Sequence, residues 1–265
     1  MSEKKGTLRV VGTGMKIAAQ CTPEARGCIV DADVVYTVVD GLTLYWLQKI
    51  NPNVQTLAGL YGNGRTRRET YDAMAEKILQ SVRGGANVVG AFYGHPGVFV
   101  DPAHAAIRIA LAEGYDAKML PGVSAEDCLF ADLGFDPGRV GCQSYEATDF
   151  VLNNRRFDPN AALIIWQIAV VGDTSLLEFS SDPRRLKILA EVLMEMYPRD
   201  HVVTVYEAAM LPITPSVIDR FPLSALHEAK VSQASTLYVP PRGRPRADPK
   251  RIALFAALES TTAPG

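Results

Sequence analysis

The chain has 265 residues, 48% of them hydrophobic and 21% charged, with a formal charge of −2. That composition supports one large core or two small ones, and excludes a disulfide miniprotein or a disordered tail. So little net charge gives no overall attraction for a phosphate backbone, so nucleic acid is not an expected partner and a small or peptidic ligand is favoured. The apolar run at 161–171 is interrupted by Gln167 and falls short of the roughly 20 residues a bilayer span needs, so it reads as a buried strand. The opening Met-Ser-Glu-Lys-Lys-Gly leads to no secretory apolar region, which places the expected site of action in the cytoplasm with no membrane partner. Cys21, Cys28, Cys128 and Cys142 contain no C-x2-C pair, so reduced, mostly buried thiols and no bound metal are expected.

In chain order, short β-branched runs at 8–11, 34–39, 88–93 and 117–120 alternate with helical patterns at 15–31, 66–83, 102–113 and 124–133. This is the signature of βα units closing a largely parallel sheet. Thr66 with Glu69 and Ser124 with Asp127 predict capping boxes, and Asp101 predicts an N-cap before Pro102. A turn-rich stretch at 134–138 precedes further strands at 142–146, 162–171, 202–206 and 236–239, with one helical stripe at 185–197. The expected organisation is therefore an α/β lobe over 1–137, a second over 138–241, and a tail over 242–265 carrying a short helix. A cleft between two such lobes is a usual place for a ligand.

Three features in that frame are able to carry chemistry. Val11-Gly12-Thr13-Gly14 follows a strand, but Ile17 stands where a dinucleotide fingerprint has its third glycine, and only Asp40 is placed for a ribose; a plain tight turn is the alternative. Tyr93-Gly94-His95-Pro96-Gly97-Val98-Phe99 follows the most hydrophobic strand of the first lobe, where a shaped turn can offer main-chain groups between flat apolar walls, or can simply be a turn. On the helix opening at Thr66, Arg67 lies four residues before Tyr71 and shares its face, at the head of an apolar stripe. A guanidinium there must reach solvent or find an acceptor, and the loop from Tyr61 to Arg65 can bring a second phenol close.

These loops, together with Leu120-Pro-Gly-Val-Ser-Ala-Glu-Asp-Cys-Leu-Phe-Ala-Asp132 and the segment from Ser235 to Pro241, resemble the borosin peptide backbone α-N-methyltransferases. That family lies in the tetrapyrrole-methylase-like class of S-adenosylmethionine enzymes, and the likeness runs over residues 7–241. The resemblance implies a two-lobed α/β (class III) methyltransferase that binds S-adenosylmethionine between its lobes, releases S-adenosylhomocysteine, and methylates amide nitrogens of a ribosomally made peptide. It places cofactor contacts at Tyr93, His95, Val98, Phe99, Ser124 and Ala125, and in the second lobe at Gln167, Ala208, Ser235 and Thr236. It places catalysis on Tyr61, Arg67 and Tyr71. Since a neighbouring cation favours a phenolate, Arg67 is expected to help Tyr71 or Tyr61 accept the amide proton. Where some fused members have a further tyrosine, this chain has Ala58.

The segment 260–265 is too short to be a substrate tract, so the split bacterial type is expected: a homodimer that engages a separate precursor peptide, forming a heterotetramer with two precursor chains. The alternatives on the same scaffold are a tetrapyrrole or other small-molecule methyltransferase, and a non-catalytic peptide- or metabolite-binding module.

Overall fold

The computed structural model describes residues 5–61, 66–173 and 181–261. The loop expected over 62–65, the leading residues 1–4 and the tail residues 262–265 lie outside the described residues.

The first half runs β1 (Thr7–Gly12), α1 (Pro23–Asp31), β2 (Val34–Val38), α2 (Gly41–Ile50), β3 (Val54–Thr56), α3 (Arg67–Arg83), β4 (Asn87–Phe92), α4 (Asp101–Ala112), β5 (Asp116–Met119) and α5 (Ala125–Leu133). Its strands pair in parallel in the order β3-β2-β4-β1-β5. Successive strand residues point to opposite faces, so both must be apolar when helices cover both sides. Accordingly Val10 and Val88 pack against Met74 and Ile78 of α3 and Ala106 of α4. Their neighbours Val11 and Val89 pack against Ala25 and Ile29 of α1 and Leu47 of α2 on the other side. Each such aliphatic side chain contributes about 1.5–3 kcal/mol when fully buried.

The second half runs α6 (Pro137–Val140), β6 (Cys142–Glu146), α7 (Ala147–Leu152), β7 (Ala162–Trp166), α8 (Pro183–Met194), β8 (Val202–Glu207), β9 (Val217–Pro222), β10 (Thr236–Val239) and α9 (Pro249–Thr261). Its sheet is mixed, in the order β6-β7-β10-β8-β9, with only β6 and β7 parallel. Leu163, Ile165, Val203 and Val205 meet Leu186, Leu189 and Leu193 of α8 on one face. On the other, Ile164 and Tyr206 meet Cys128 and Leu129 of α5. α5 is thus shared between the lobes. Phe130 meets Phe135 edge to face at a centroid distance of 5.0 Å, Tyr238 stacks on Phe135 at 4.8 Å, and the Tyr206 hydroxyl donates to Asp132 at 2.8 Å.

Three expectations are corrected here. The helix expected over 15–31 begins only at Pro23, because Thr22 accepts from the Ala25 N–H as N-cap and proline is suited to the first helical position, not to an interior one. The strand expected to continue to 171 ends at Trp166, where Gln167 turns left-handed at φ 58° and ψ 36°. Asp101 is not the N-cap of α4 but its first residue, and Val100 precedes it without a side-chain cap. Both capping boxes form as read.

Candidate functional site

Connections from β1 and β4, adjacent at the centre of the first sheet, leave toward opposite edges. Such a switch point opens a crevice at the carboxyl ends of the strands. Here the loops after β1 and β4 are stitched together: the Gly94 N–H donates to the Gly14 carbonyl at 2.9 Å, and the Gly14 N–H to that of Gly94 at 3.3 Å. Gly94 has φ +66°, and a Cβ on Gly12 would stand 2.2 Å from the Gly94 carbonyl oxygen, so these positions require glycine. The Gln20 side-chain oxygen accepts from the Met15 and Lys16 N–H groups at 3.0 and 2.8 Å and fixes the rest of the first loop.

Above this junction lies a cavity of about 370 Å³ between the lobes. Tyr93, His95, Val98 and Phe99 line it from the loop after β4, and Ser124 and Ala125 from the start of α5. Gln167, Ser235 and Thr236 close it from the second lobe. Of the residues expected around a cofactor, Ala208 alone does not line the cavity; it is buried beneath, in a cluster with Met15 and Trp166. His95 is a turn histidine, its Nδ1 accepting from the Gly97 N–H at 2.9 Å. Ser124 caps α5, and the Ser235 hydroxyl donates to Glu207 at 2.5 Å. Asp40 also borders the cavity; burial pushes its carboxyl up, but hydrogen bonds from Thr43 and Leu42 outweigh that and hold it below the ordinary carboxylate range. Sequence reading did not single out Met15, Trp166, Met210 or Gln233 for this wall, because they come from scattered loops with no spacing in common.

A second cavity, of about 180 Å³, adjoins the first, and Tyr61, Arg67 and Tyr71 line it together with Tyr93, Phe99 and Gln167. The Tyr61 and Tyr71 rings meet edge to face, with centroids 6.4 Å apart and planes at 87°. Tyr71 departs from expectation. Burial first, then Tyr61, pushes its phenol above the ordinary tyrosine value, and the opposing pull of Arg67 does not compensate. Tyr71 therefore keeps its proton at neutral pH. A third, open groove of about 700 Å³ continues outward past Arg67 and Tyr71, between Asp101 of α4 and Asp149 of α7. Phe99 and Gln167 border all three spaces. Both carry left-handed backbones, at φ 55° and 58°, which few non-glycine residues adopt. Phe99 also crosses the cleft to Trp166, at a centroid distance of 5.9 Å.

Residues 7–212 match the family of tetrapyrrole (corrin/porphyrin) methylases. The chain belongs to the tetrapyrrole methylase family. This tetrapyrrole methylase is 42% identical, over 98% of its chain and 64% of the relative's, to a protein of Dendrothele bispora named methyltransferase/ribosomally synthesized cyclic peptide dendrothelin A precursor. It is 44% identical, over 90% of its chain and 63% of the relative's, to a Coprinopsis marcescibilis methyltransferase/ribosomally synthesized type I borosin cyclic peptide precursor. The chain thus spans about three fifths of the length of the curated relatives it matches. Among solved structures, the uroporphyrin-III-C-methyltransferase of Thermus thermophilus shares the fold at TM-score 0.65 and 18% identity, over 96% of both chains.

Proposed function

We propose that this protein methylates backbone amide nitrogens of a peptide using S-adenosylmethionine, with the donor in the 370 Å³ cavity and the peptide in the groove beyond it. The observation that carries this reading is that Phe99 and Gln167 form common walls of the glycine-floored cavity, the Tyr61/Arg67/Tyr71 chamber and the open groove. Names of relatives that join a methyltransferase to a cyclic peptide precursor support it.

The donor set fits the cofactor. Close packing of Gly12 against Gly94 brings main chain to the cavity floor, Tyr93 and Phe99 supply flat walls, and the start of α5 offers N–H groups suited to a carboxylate. S-adenosylmethionine, when bound, supplies a methyl group on an electrophilic sulfonium. The remaining task falls to the chain. A peptide nitrogen is a poor nucleophile because its lone pair is delocalised into the carbonyl. Losing the N–H proton shifts negative charge onto the carbonyl oxygen, giving an imidate. Arg67 stays cationic and donates in fixed directions, so it stabilises that oxygen. Tyr71, held protonated by burial, donates to the same oxygen. Tyr61, 39% exposed at the cleft edge, accepts the amide proton and can pass it to water. General base catalysis gives roughly 10²–10⁴-fold and one oxyanion donor roughly 10²–10³-fold, so positioning against the donor must supply much of the rest.

Tyr71→Phe is expected to leave S-adenosylmethionine affinity within about twofold while methylation of a precursor peptide falls by roughly 10²-fold, read by calorimetric titration beside peptide mass spectrometry. Tyr61→Phe is expected to lower the rate by roughly 10²-fold or more, the scale of general base catalysis, again with cofactor affinity little changed; a Tyr61→Phe rate near wild type would remove it as the proton acceptor. The further reading, that the peptide arrives as a separate chain on a homodimer carrying two precursors, rests on the resemblance to the split type. Mass photometry of the protein with and without precursor tests it, and a monomeric complex would remove it.

A further inference from the structure

Resting on the reading above, in which the 370 Å³ cavity takes the methyl donor, we infer that Glu207 is a positioning residue for the cofactor, its carboxylate holding the turn at 232–235 that closes the cavity from the second lobe. Gln233, Ala234, Ser235 and Thr236 line that wall, and Glu207 stands one layer behind them. Glu207 ends β8, and Thr236 opens β10 opposite Tyr206, so the turn that enters β10 lies beside the end of β8. There a single oxygen of the half-buried Glu207, Oε1, accepts from the Ser232 hydroxyl at 2.6 Å and from the Ser235 hydroxyl at 2.5 Å. The turn is also closed on itself. The Ser232 N–H donates to the Ser235 hydroxyl oxygen at 2.8 Å, the Ala234 N–H to the Ser232 hydroxyl oxygen at 3.1 Å, and the Ser235 N–H to the Ser232 carbonyl at 3.0 Å. Among the described residues Glu207 joins no ion pair, and these two hydroxyls are what its carboxylate holds.

Hydrogen bonds to an ionised acceptor are roughly twice as strong as those between neutral groups, so two hydroxyls on one carboxylate fix a turn firmly. They also fix what the turn offers a ligand. A hydroxyl has one proton to give and two lone pairs to receive. Ser235 gives its proton to Glu207 and uses one lone pair on the Ser232 N–H, so toward the cavity it can only accept. S-adenosylmethionine carries donors that match such a wall, in its exocyclic amine, its ribose hydroxyls and its ammonium group. Its carboxylate is an acceptor and is turned away, toward the N–H groups at the start of α5. Without Glu207 the Ser235 proton is free to swing into the cavity, and the turn loses both side-chain ties to β8. Glu207 thus shapes the cofactor wall and sets its hydrogen-bonding sense without touching the ligand.

The test titrates the full chain calorimetrically with S-adenosylmethionine and with S-adenosylhomocysteine, beside methylation of a synthetic peptide copied from the precursor segment of the Dendrothele bispora relative. Glu207→Ala is expected to weaken both cofactor forms about tenfold, the scale of one or two hydrogen bonds, and to raise the KM for S-adenosylmethionine by the same factor. At saturating cofactor, kcat and the peptide KM stay within about twofold. Glu207→Gln keeps an acceptor oxygen at the same reach and recovers most of the loss. Ser232→Ala cuts one tie without altering the cavity lining and weakens both forms about threefold. Wild-type cofactor affinity in Glu207→Ala overturns the inference. So does a Glu207→Gln variant that loses S-adenosylmethionine but not S-adenosylhomocysteine, because Glu207 would then act through its charge on the sulfonium and not through the turn. If melting curves show that Glu207→Ala does not fold, Ser232→Ala decides alone, the threefold loss supporting the inference and wild-type affinity overturning it. Wild-type protein that binds neither cofactor form overturns the underlying reading instead.

Discussion

At the scale of single residues, the cleft floor is set by glycines and the chamber beyond it by the burial of one phenol. A Cβ at position 12 would occupy space already filled by the Gly94 carbonyl, and backbone cannot swing aside as a side chain tip can. Gly12→Ala is therefore expected to lower stability by about 1–3 kcal/mol through overpacking and to weaken S-adenosylmethionine binding with it. Thermal melts with and without cofactor check this, and a wild-type melting temperature would show that the two loops can separate. Tyr71 illustrates a limit of reading residues by spacing. That Arg67 and Tyr71 share a helix face follows from a separation of four, and they do line one chamber. Which protonation state results was not legible, because the answer depends on how deeply α4 and the loop after β4 bury the ring.

At the scale of elements, the sequence was most informative where a local rule had no rival. β6 and β10 occupy the residues expected, and both capping boxes form, since their signals lie within a few residues of each other. α2 and β3 went unread because Leu42, Leu44 and Trp46 mix with polar residues in a weak pattern, and a three-residue strand carries almost no periodicity. β9 was equally silent: it holds no buried residue and only Ile218 and Phe221 half-buried, an edge-strand pattern. From the residue pattern Gln167 was legible only as an interruption in an apolar run, and it was the family resemblance that set it at the cofactor; that it ends β7 and faces the cleft depends on neighbours far away in sequence. Among helices, α5 has the most at stake, as its sides serve both lobes. Ser124→Ala removes the acceptor for the Asp127 N–H and is expected to cost about 1 kcal/mol, or 2–4 °C in melting temperature. An equal change in cofactor affinity is not expected from a cap alone; if affinity falls tenfold or more, the Ser124 hydroxyl also contacts the ligand.

At the scale of the whole molecule, several buried phenols tie stability to alkaline pH. Burial, then Asp132, raises the Tyr206 phenol, and burial, then Asp158, pushes Tyr197 up to about 12 despite Arg242. A group whose folded value is raised is favoured in its protonated form by the fold. Its contribution is fully present below about pH 10, where unfolded tyrosines start to ionise, and is lost as pH climbs through the folded values. Urea midpoints are thus expected to hold level to about pH 9.5 and fall steadily above pH 10, with a shallower fall in Tyr206→Phe. A midpoint indifferent to pH across that range would mean these phenols ionise within the intact fold.

The strand order of the first sheet has a consequence for synthesis. β1 and β2 are never neighbours; β4, the strand that joins them, is made only at residues 87–92. A chain leaving the ribosome therefore carries the β4-facing edges of both β1 and β2 unpaired through the interval in which α2 and α3 emerge. Unpaired edges are templates for association with other nascent chains. The lobe that houses Tyr61 and Tyr71 therefore closes only once β4 and β5 have both been made to flank β1.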